Sequence, residues 1–372
     1  MTPKTLFVRC GVLDGYMYFF TFNGGVFARM DLATGDVKLL ETTFDCIFGK
    51  INEVVSMLTV DRSIYALTWF GRYLVDYCVD TKQVKEIETG YYYRKGGGIA
   101  GWFEKGGKIY IYPMGLREEA IYDRMSHTIS RRALSGKTSF SIFRICPADD
   151  CVYLFEESGD HVIRRNIDTG AEDVLTLNGR WEKVRHVVRK DDRFYILTAK
   201  REIYVWDDRS NDLKLLYRSE TDDTAWSMAV LEDKIVIPPA YHEEIQVVNT
   251  ETGAVSFLKE QPADFTYHPV YNTGRYNGSC EDQNNYYFAA YATNYVLIIS
   301  KKNGEISWVR PLISAEEIMR YMFKRNKYLT QEACFDFSSF LTTAAEDRTS
   351  QKRTQGICFG DQIWKEIMSD LR

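Results

Sequence analysis

The chain has 372 residues, of which 45% are hydrophobic, with a formal net charge of −5 and a pI near 5.7. Its charges are mixed without a long basic run, which argues against a nucleic-acid or anionic-membrane surface. It lacks the run of about 18 apolar residues that a membrane span needs, and its first residues lack the pattern of a secretory signal.

The stretch DLATGDVKLL at 31–40 has the pattern of a β-hairpin tip, in which a polar turn separates two apolar segments. The same pattern recurs in seven copies, at 15–40, 62–87, 107–134, 150–177, 192–216, 233–258 and 284–309. One turn position is occupied by Thr34, Thr81, Ser126, Thr169, Ser210, Thr252 and Asn303, at spacings of 41 to 51 residues. This period is the length of one four-stranded propeller blade.

Each copy divides into four short strands joined by Asn-, Asp- or Gly-containing turns, as tight β-connections require. The high content of Tyr and Phe also favours strands. We therefore predict an all-β protein, a seven-bladed β-propeller of four-stranded antiparallel blades over 5–312. Six blades with one irregular module are the alternative. Every copy supplies its own four strands, so blades one and seven should meet by packing, reinforced by the residues that follow.

The hairpin pattern D-x-x-T-G-x-x-x-x-L resembles that of kelch and quinoprotein repeats in the broad β-propeller superfamily. The double glycine typical of kelch blades is found within only one of the repeated hairpins at the kelch position, at Gly24-Gly25, and no repeated Trp-Asp signature is present. The resemblance therefore implies the architecture and identifies no narrower family.

Small residues recur in the first strand of several copies, which is the strand nearest the crowded propeller axis. They include Gly97, Gly98, Ala100 and Gly101 in the third copy, Ser227 and Ala229 in the sixth, and Gly278 and Ser279 in the seventh.

After Pro311 the pattern becomes helical, and we predict a C-terminal α-helical extension over 313–372. Ser314 to Glu317 fits a capping box at the start of its first helix. A polar linker at 346–356 precedes a last amphipathic helix around Trp364. These helices either pack on the propeller or dock a partner, and the last helix is the better candidate for docking.

Neither a metal nor a cofactor is predicted. The eight cysteines include no C-x-x-C pair, and the five histidines are dispersed. Scattered cysteines of this kind favour free buried thiols in a reducing, cytoplasmic setting.

Loops that lead into the first strands of four copies are rich in aromatic and basic residues. Flat rings stack on sugars or bases, and Arg and His donors hold polar or anionic groups. The predicted ligand-binding residues are Tyr92, Arg94, Trp181, Arg185, His186, Trp226, Tyr267, His268 and Arg275.

Catalytic motifs of the common hydrolase, kinase and metalloprotease kinds are missing from the sequence. The leading hypothesis is a non-catalytic protein that presents an aromatic and basic propeller face to a protein, peptide or glycan. The alternative is a carbohydrate-active lyase or hydrolase at the channel mouth, with His186, Tyr267, His268 and Arg275 as its acid, base and anion-stabilising groups. A purely structural scaffold is the third hypothesis.

Overall fold

The fold is given by a computed structural model. It describes residues 9–20, 27–40, 54–68, 71–90, 98–115, 118–134, 142–220, 224–240, 244–259, 261–267, 275–291, 293–314 and 316–317. These residues form 28 strands in seven antiparallel four-stranded sheets, each built from consecutive strands. The chain is therefore a seven-bladed β-propeller, and the predicted fold class is confirmed.

The first four blades are numbered in chain order, and each begins with its innermost strand. Blade 1 contains β1 (Arg9–Leu13), β2 (Tyr16–Phe20), β3 (Phe27–Asp31) and β4 (Val37–Leu39). Blade 2 contains β5 (Val54–Val60), β6 (Ser63–Thr68), β7 (Tyr73–Cys78) and β8 (Val84–Glu88). Blade 3 contains β9 (Ile99–Lys105), β10 (Lys108–Pro113), β11 (Glu118–Asp123) and β12 (Thr128–Ala133). Blade 4 contains β13 (Arg144–Ala148), β14 (Cys151–Phe155), β15 (Gly159–Asn166) and β16 (Glu172–Trp181).

The last three blades repeat this order. Blade 5 contains β17 (Val184–Lys190), β18 (Arg193–Thr198), β19 (Ile203–Asp207) and β20 (Asp212–Tyr217). Blade 6 contains β21 (Ala229–Val230), β22 (Lys234–Ile237), β23 (Ile245–Asn249) and β24 (Val255–Leu258). Blade 7 contains β25 (Tyr276–Glu281), β26 (Asn285–Ala290), β27 (Val296–Ser300) and β28 (Ile306–Val309).

The recurring hairpin tip has one backbone geometry in all seven blades. The residue after the shared turn position has a left-handed φ between 56° and 82° in every blade, at Gly35, Lys82, His127, Gly170, Asn211, Gly253 and Gly304. In blade 1 the Asp31 carboxylate accepts hydrogen bonds from the backbone N–H groups of Ala33 and Thr34, at 2.8 and 3.1 Å. Such side-chain capping explains why Asp and Asn recur at the start of the turn.

Apolar side chains fill the spaces between neighbouring blades. Between blades 4 and 5, the ring of Tyr153 in blade 4 lies 4.5 Å from that of Phe194 in blade 5, and Phe194 stacks on Trp206 of its own blade at 4.7 Å. Towards the axis the inner strands come so close that a β-carbon at Gly101 would collide with Ile145 of the next blade. The crowding predicted at the inner strands is therefore present at Gly101.

Blades 3 and 4 are also joined by a buried ion network. Glu119 and Arg165 are 0% and 1% exposed and lie 3.0 Å apart. Arg132 contacts the same Glu119 carboxylate, and Arg165 also pairs with Glu172. The charges are compensated by one another, as burial requires.

The ring closes between blades 7 and 1 without a shared blade. At the inner end the Sγ atoms of Cys10 and Cys280 are 3.1 Å apart. At the outer end, the chain after blade 7 returns to β4, where the Val37 N–H donates to the Leu312 carbonyl at 2.6 Å and the Leu312 N–H donates to the Gly35 carbonyl at 2.8 Å. The chain that follows the last blade therefore reinforces the seam.

The start of the predicted C-terminal extension is visible at Ser314. The Ser314 hydroxyl accepts a hydrogen bond from the Glu317 N–H at 3.1 Å, as at a helix N-terminus, and residues 316 and 317 are helical. The predicted helices beyond this point, including the one around Trp364, lie outside the described residues. In the part of the chain that is described, no helix is long and apolar enough to cross a membrane.

Candidate functional site

The predicted binding residues that the structure describes lie towards one face of the disc. In each blade the inner strand begins at this face, and the hairpin between the second and third strands returns to it, because the strands are antiparallel. We call it the top face. Loops at such a face surround the mouth of the central channel, where propellers commonly hold ligands.

Arg185 and Trp226 meet on the top face. Arg185 lies in inner strand β17, and Trp226 lies just before inner strand β21 of the next blade. The Arg185 guanidinium carbon is 4.9 Å from the centre of the Trp226 ring, which is a cation–π arrangement. Arg185 Nε and Trp226 Nε1 are buried and have no hydrogen-bond partner among the described residues. The sequence predicted both residues, and the structure brings them together.

Arg144 joins this pair from the neighbouring blade. Its Nε donates to the Arg185 carbonyl at 2.6 Å, its Nη1 donates to the Phe143 carbonyl at 2.8 Å, and its guanidinium lies 4.5 Å from the Phe143 ring. Within the described part of the chain, neither Arg144 nor Arg185 forms an ion pair with a carboxylate. We call Arg144, Arg185, His186 and Trp226 the hub cluster.

The hub cluster is electrostatically positive and partly dehydrated. Burial, with the positive charges of Arg9 and Arg185, lowers the pKa of Arg144 to about 10, and Glu157 opposes this effect. Burial also lowers the pKa of Arg9, which occupies the first position of inner strand β1. The guanidinium groups of Arg9 and Arg185 therefore both lie near that of Arg144, close to the axis. A bound anion would stabilise these three positive charges.

His186 contributes a neutral ring to the hub cluster. Burial, followed by the positive charge of Arg144, lowers its pKa to about 4. Its Nδ1 accepts a hydrogen bond from the Met228 N–H at 3.3 Å. The proton of the neutral ring is therefore on Nε2, which makes this nitrogen a hydrogen-bond donor.

Arg275 and Tyr267 form a second aromatic–basic group between blades 6 and 7. The Arg275 guanidinium lies 4.5 Å from the Tyr267 ring and 5.3 Å from the Phe265 ring, and Arg275 is only 4% exposed. The Tyr291 N–H donates to the Arg275 carbonyl at 3.2 Å, which fixes Arg275 at the start of β25. Tyr267 and Arg275, both in the predicted set of binding residues, are thus in contact and form a group of their own.

Trp181 occupies a different environment from the other predicted residues. Most of the loop expected at 180–186 is strand, because β16 runs to Trp181 and β17 begins at Val184. Trp181 is 0% exposed, its ring lies 5.8 Å from Phe155, and its Nε1 donates to the Glu156 carbonyl at 3.2 Å. These are the contacts of a packing residue, and Trp181 is not included in the hub cluster.

The remaining predicted binding residues, Tyr92, Arg94 and His268, lie outside the described residues. Arg9 and Arg144 were missed by the sequence analysis. The only signal for them is that each is the first residue of an inner strand. Among the described residues, no three His, Cys, Asp or Glu side chains are grouped so as to hold a metal ion.

Neither family models nor curated proteins match this chain, whereas solved structures do. The computationally designed protein Ika8 is 13% identical with a TM-score of 0.55, covering 83% of this chain and 90% of its own. Virginiamycin B lyase from Staphylococcus aureus, as an inactive variant with quinupristin, is 12% identical with a TM-score of 0.59, covering 78% and 94%. PorZ, a surface component of the type-IX secretion system of Porphyromonas gingivalis, is 13% identical with a TM-score of 0.57, covering 83% and 38%.

At these identities the structural similarity establishes the fold alone. One similar protein is a lyase, one is a component of a secretion system and one is a design, so the shared architecture serves as a scaffold for binding or for catalysis. The chain shares the β-propeller fold with these proteins.

Proposed function

We propose that this protein is a non-catalytic binding protein whose top face holds an anionic group of a protein, peptide or glycan partner in the hub cluster. The main observation in favour of this proposal is that the hub cluster contains more hydrogen-bond donors than acceptors. Arg185 Nε and Trp226 Nε1 are buried donors without described acceptors, and the hub arginines lack described carboxylate partners. An acceptor with negative charge satisfies both deficits at once.

The aromatic surfaces of the hub favour a ligand that also has a flat or apolar portion. Trp226 already supports Arg185, so the planar guanidinium is held in one orientation. A carboxylate, sulfate or phosphate group could then be bound by two parallel N–H donors. Acidic glycans and acidic peptides both offer such groups.

The test is an array of acidic and neutral glycans together with acidic and neutral peptides, probed with the labelled protein. We expect selective binding to acidic members, and a Kd at least tenfold weaker for Arg185→Ala. Arg185→Lys should recover little, because an ammonium group cannot reproduce the planar, stacked fork. Arg209→Ala is the matched control, since this arginine of blade 5 is 75% exposed in a turn on the opposite face. Binding that prefers neutral members, or that survives Arg185→Ala, would contradict the proposal.

Lyase or hydrolase chemistry is the second candidate, and the pairing of Tyr267 with Arg275 is the observation that favours it. An arginine beside a tyrosine could stabilise an anion while the phenol transfers a proton. His186 is less suited to act as a base, because its Nδ1 already accepts the Met228 N–H. Product formation from an array hit, lost in Tyr267→Phe with the Kd unchanged, would favour the enzyme.

The segment around Trp364 remains a proposed docking element. Trp364, Ile367, Met368 and Leu371 share one face of the predicted helix, which follows a polar linker. A chain that ends before residue 347 should keep the melting temperature of the full chain and lose partners captured from the native host. A lower melting temperature would show instead that the helix packs on the propeller.

A further inference from the structure

A second cleft opens at the outer rim of the top face, between blades 5 and 6. Its volume is about 530 Å³, and its lining includes Arg201, Tyr217, Gln246, Val255, Phe257 and Lys259. Blade 5 contributes the hairpin that contains Arg201 and the end of β20, and blade 6 contributes β23 and β24. The residues of the hub cluster do not line it.

Gln246 is the unusual residue of this cleft. It lies in β23, is 0% exposed, and both its amide oxygen and its amide nitrogen are buried without a hydrogen-bond partner among the described residues. Buried polar side chains in proteins are almost always hydrogen-bonded, so an amide with neither function satisfied points to a ligand. A group that binds it must offer one donor and one acceptor side by side.

Apolar surface lies directly beside this amide. Gln246 is the cross-strand partner of Phe257 on β24, and directly opposed residues point to the same side of a sheet. Phe257 and Val255 are 50% and 40% exposed and both line the cleft. A ligand that reaches the amide therefore also covers an aromatic ring and a branched aliphatic side chain.

The charges around the cleft are largely compensated by one another. Lys259 pairs with Glu244 at 2.8 Å, and Arg218 pairs with Glu202 at 2.9 Å. The lining residues thus carry both signs, in contrast to the hub cluster. A neutral ligand with paired donor and acceptor groups would fit the Gln246 amide.

We propose that this cleft binds an extended, largely uncharged peptide segment of a partner protein, with one backbone peptide group bonded to the Gln246 amide and an apolar side chain against Phe257. A peptide group presents one N–H and one C=O, which are the complement of a primary amide. The proposal is independent of the hub cluster and of the ligand proposed for it.

The probe is a displayed library of short linear peptides, selected on the full chain. Peptides that are recovered are synthesised, and their Kd is measured on wild type, Gln246→Leu and Phe257→Ser. Each of these variants should weaken binding by about tenfold or more. Val174→Ser is the matched control, because Val174 is an apolar residue of outer strand β16 with 47% exposure, remote from the cleft. This variant should leave the Kd unchanged.

A second measurement separates a binding role from a structural role for Gln246. Leucine has a similar size and leaves no buried amide unpaired, so Gln246→Leu should melt at the same or a higher temperature than wild type. A lower melting temperature with unchanged peptide binding would overturn the proposal. Failure to recover any peptide, or equal affinity for wild type and Phe257→Ser, would also overturn it. If Gln246→Leu does not fold, Phe257→Ser still tests the proposal. Phe257 is half-exposed, so its substitution should not prevent folding.

Discussion

The Sγ atoms of Cys10 and Cys280 lie 3.1 Å apart, although 270 residues separate the two cysteines in the sequence. Cys10 is in the inner strand of blade 1 and Cys280 in the inner strand of blade 7. The two thiols therefore mark the point where the first and last blades meet.

The first prediction is that a thiol oxidant such as diamide links these two cysteines. The two thiols lose two protons and two electrons to diamide, which is reduced to the hydrazine, and the chain loses the mass of two hydrogen atoms. In the chain-entropy model, closing so long a loop stabilises the fold by up to about 5 kcal/mol. The melting temperature should rise on oxidation, as followed by mass spectrometry and calorimetry.

Cross-linking should also accelerate with pH, because the thiolate is the reactive form. The hydrogen bond between Cys280 and Cys10, together with burial, raises the pKa of Cys280 well above its ordinary value, so little thiolate is present at neutral pH. Cys280→Ser should abolish the mass change, whereas Cys78→Ser, which removes a partly exposed thiol of blade 2, should preserve it. A cross-link that persists in Cys280→Ser would contradict the assignment.

The second prediction concerns the outer end of the same seam. Gly35 has a φ of +82°, and a β-carbon there would collide with the carbonyl oxygen of Arg310. Gly35→Ala should therefore lower the free energy of unfolding by more than the roughly 1–2 kcal/mol of left-handed strain alone. Gly15→Ala is the control, because Gly15 has a φ of +77° and open space around it. Chemical denaturation measures the free energy of unfolding of both variants. If Gly35→Ala and Gly15→Ala lose the same amount, the collision with Arg310 contributes nothing.

The third prediction concerns the ion network between blades 3 and 4. Glu119→Ala should cost about 3–5 kcal/mol of unfolding free energy, because it leaves buried Arg165 without one of its carboxylate partners. Arg164→Ala should cost only about 0–1 kcal/mol, since the pair of Arg164 with Asp173 is 41% and 66% exposed. Urea denaturation measures the free energy of unfolding of both variants. If the two variants lose similar amounts, burial does not determine the strength of these ion pairs.

The fourth prediction is a pH dependence caused by His186. Its folded pKa of about 4 lies below the value of 6.5 for a free histidine, so the unfolded chain binds the proton more readily. The stability contributed by neutral His186 is complete above pH 6.5 and declines as the pH falls to 4, by up to about 3 kcal/mol. His186→Gln should flatten this part of the stability profile, measured by denaturation at each pH.

The fold could be predicted from the sequence because the same turn chemistry occurs in every blade. The turn position of Thr34 and its six equivalents is followed each time by a left-handed residue, and this local requirement appears directly in the residue types. The strand order needed no long-range information, since consecutive strands are neighbours in each blade. The seam at Leu312 could not be assigned from residue types, because it depends on where the ring closes.

The candidate site was predictable only in part. Arg185 and Trp226 occupy equivalent positions before or within inner strands, so their proximity follows from the repeat. Arg144 resembles any surface arginine in sequence, and only the curvature of the ring brings it against the Arg185 carbonyl. Trp181 was assigned to a loop because the length of β16 was not foreseen. Gln246 carries no sequence signal, since one polar residue in a strand is ordinary.

Because each blade is complete in itself, the number of blades could change by duplication or deletion of a repeat. Because each sheet consists of four consecutive strands, one repeat of the gene encodes one complete structural unit. An in-frame duplication or deletion of one repeat would add or remove a whole blade without leaving an unpaired strand.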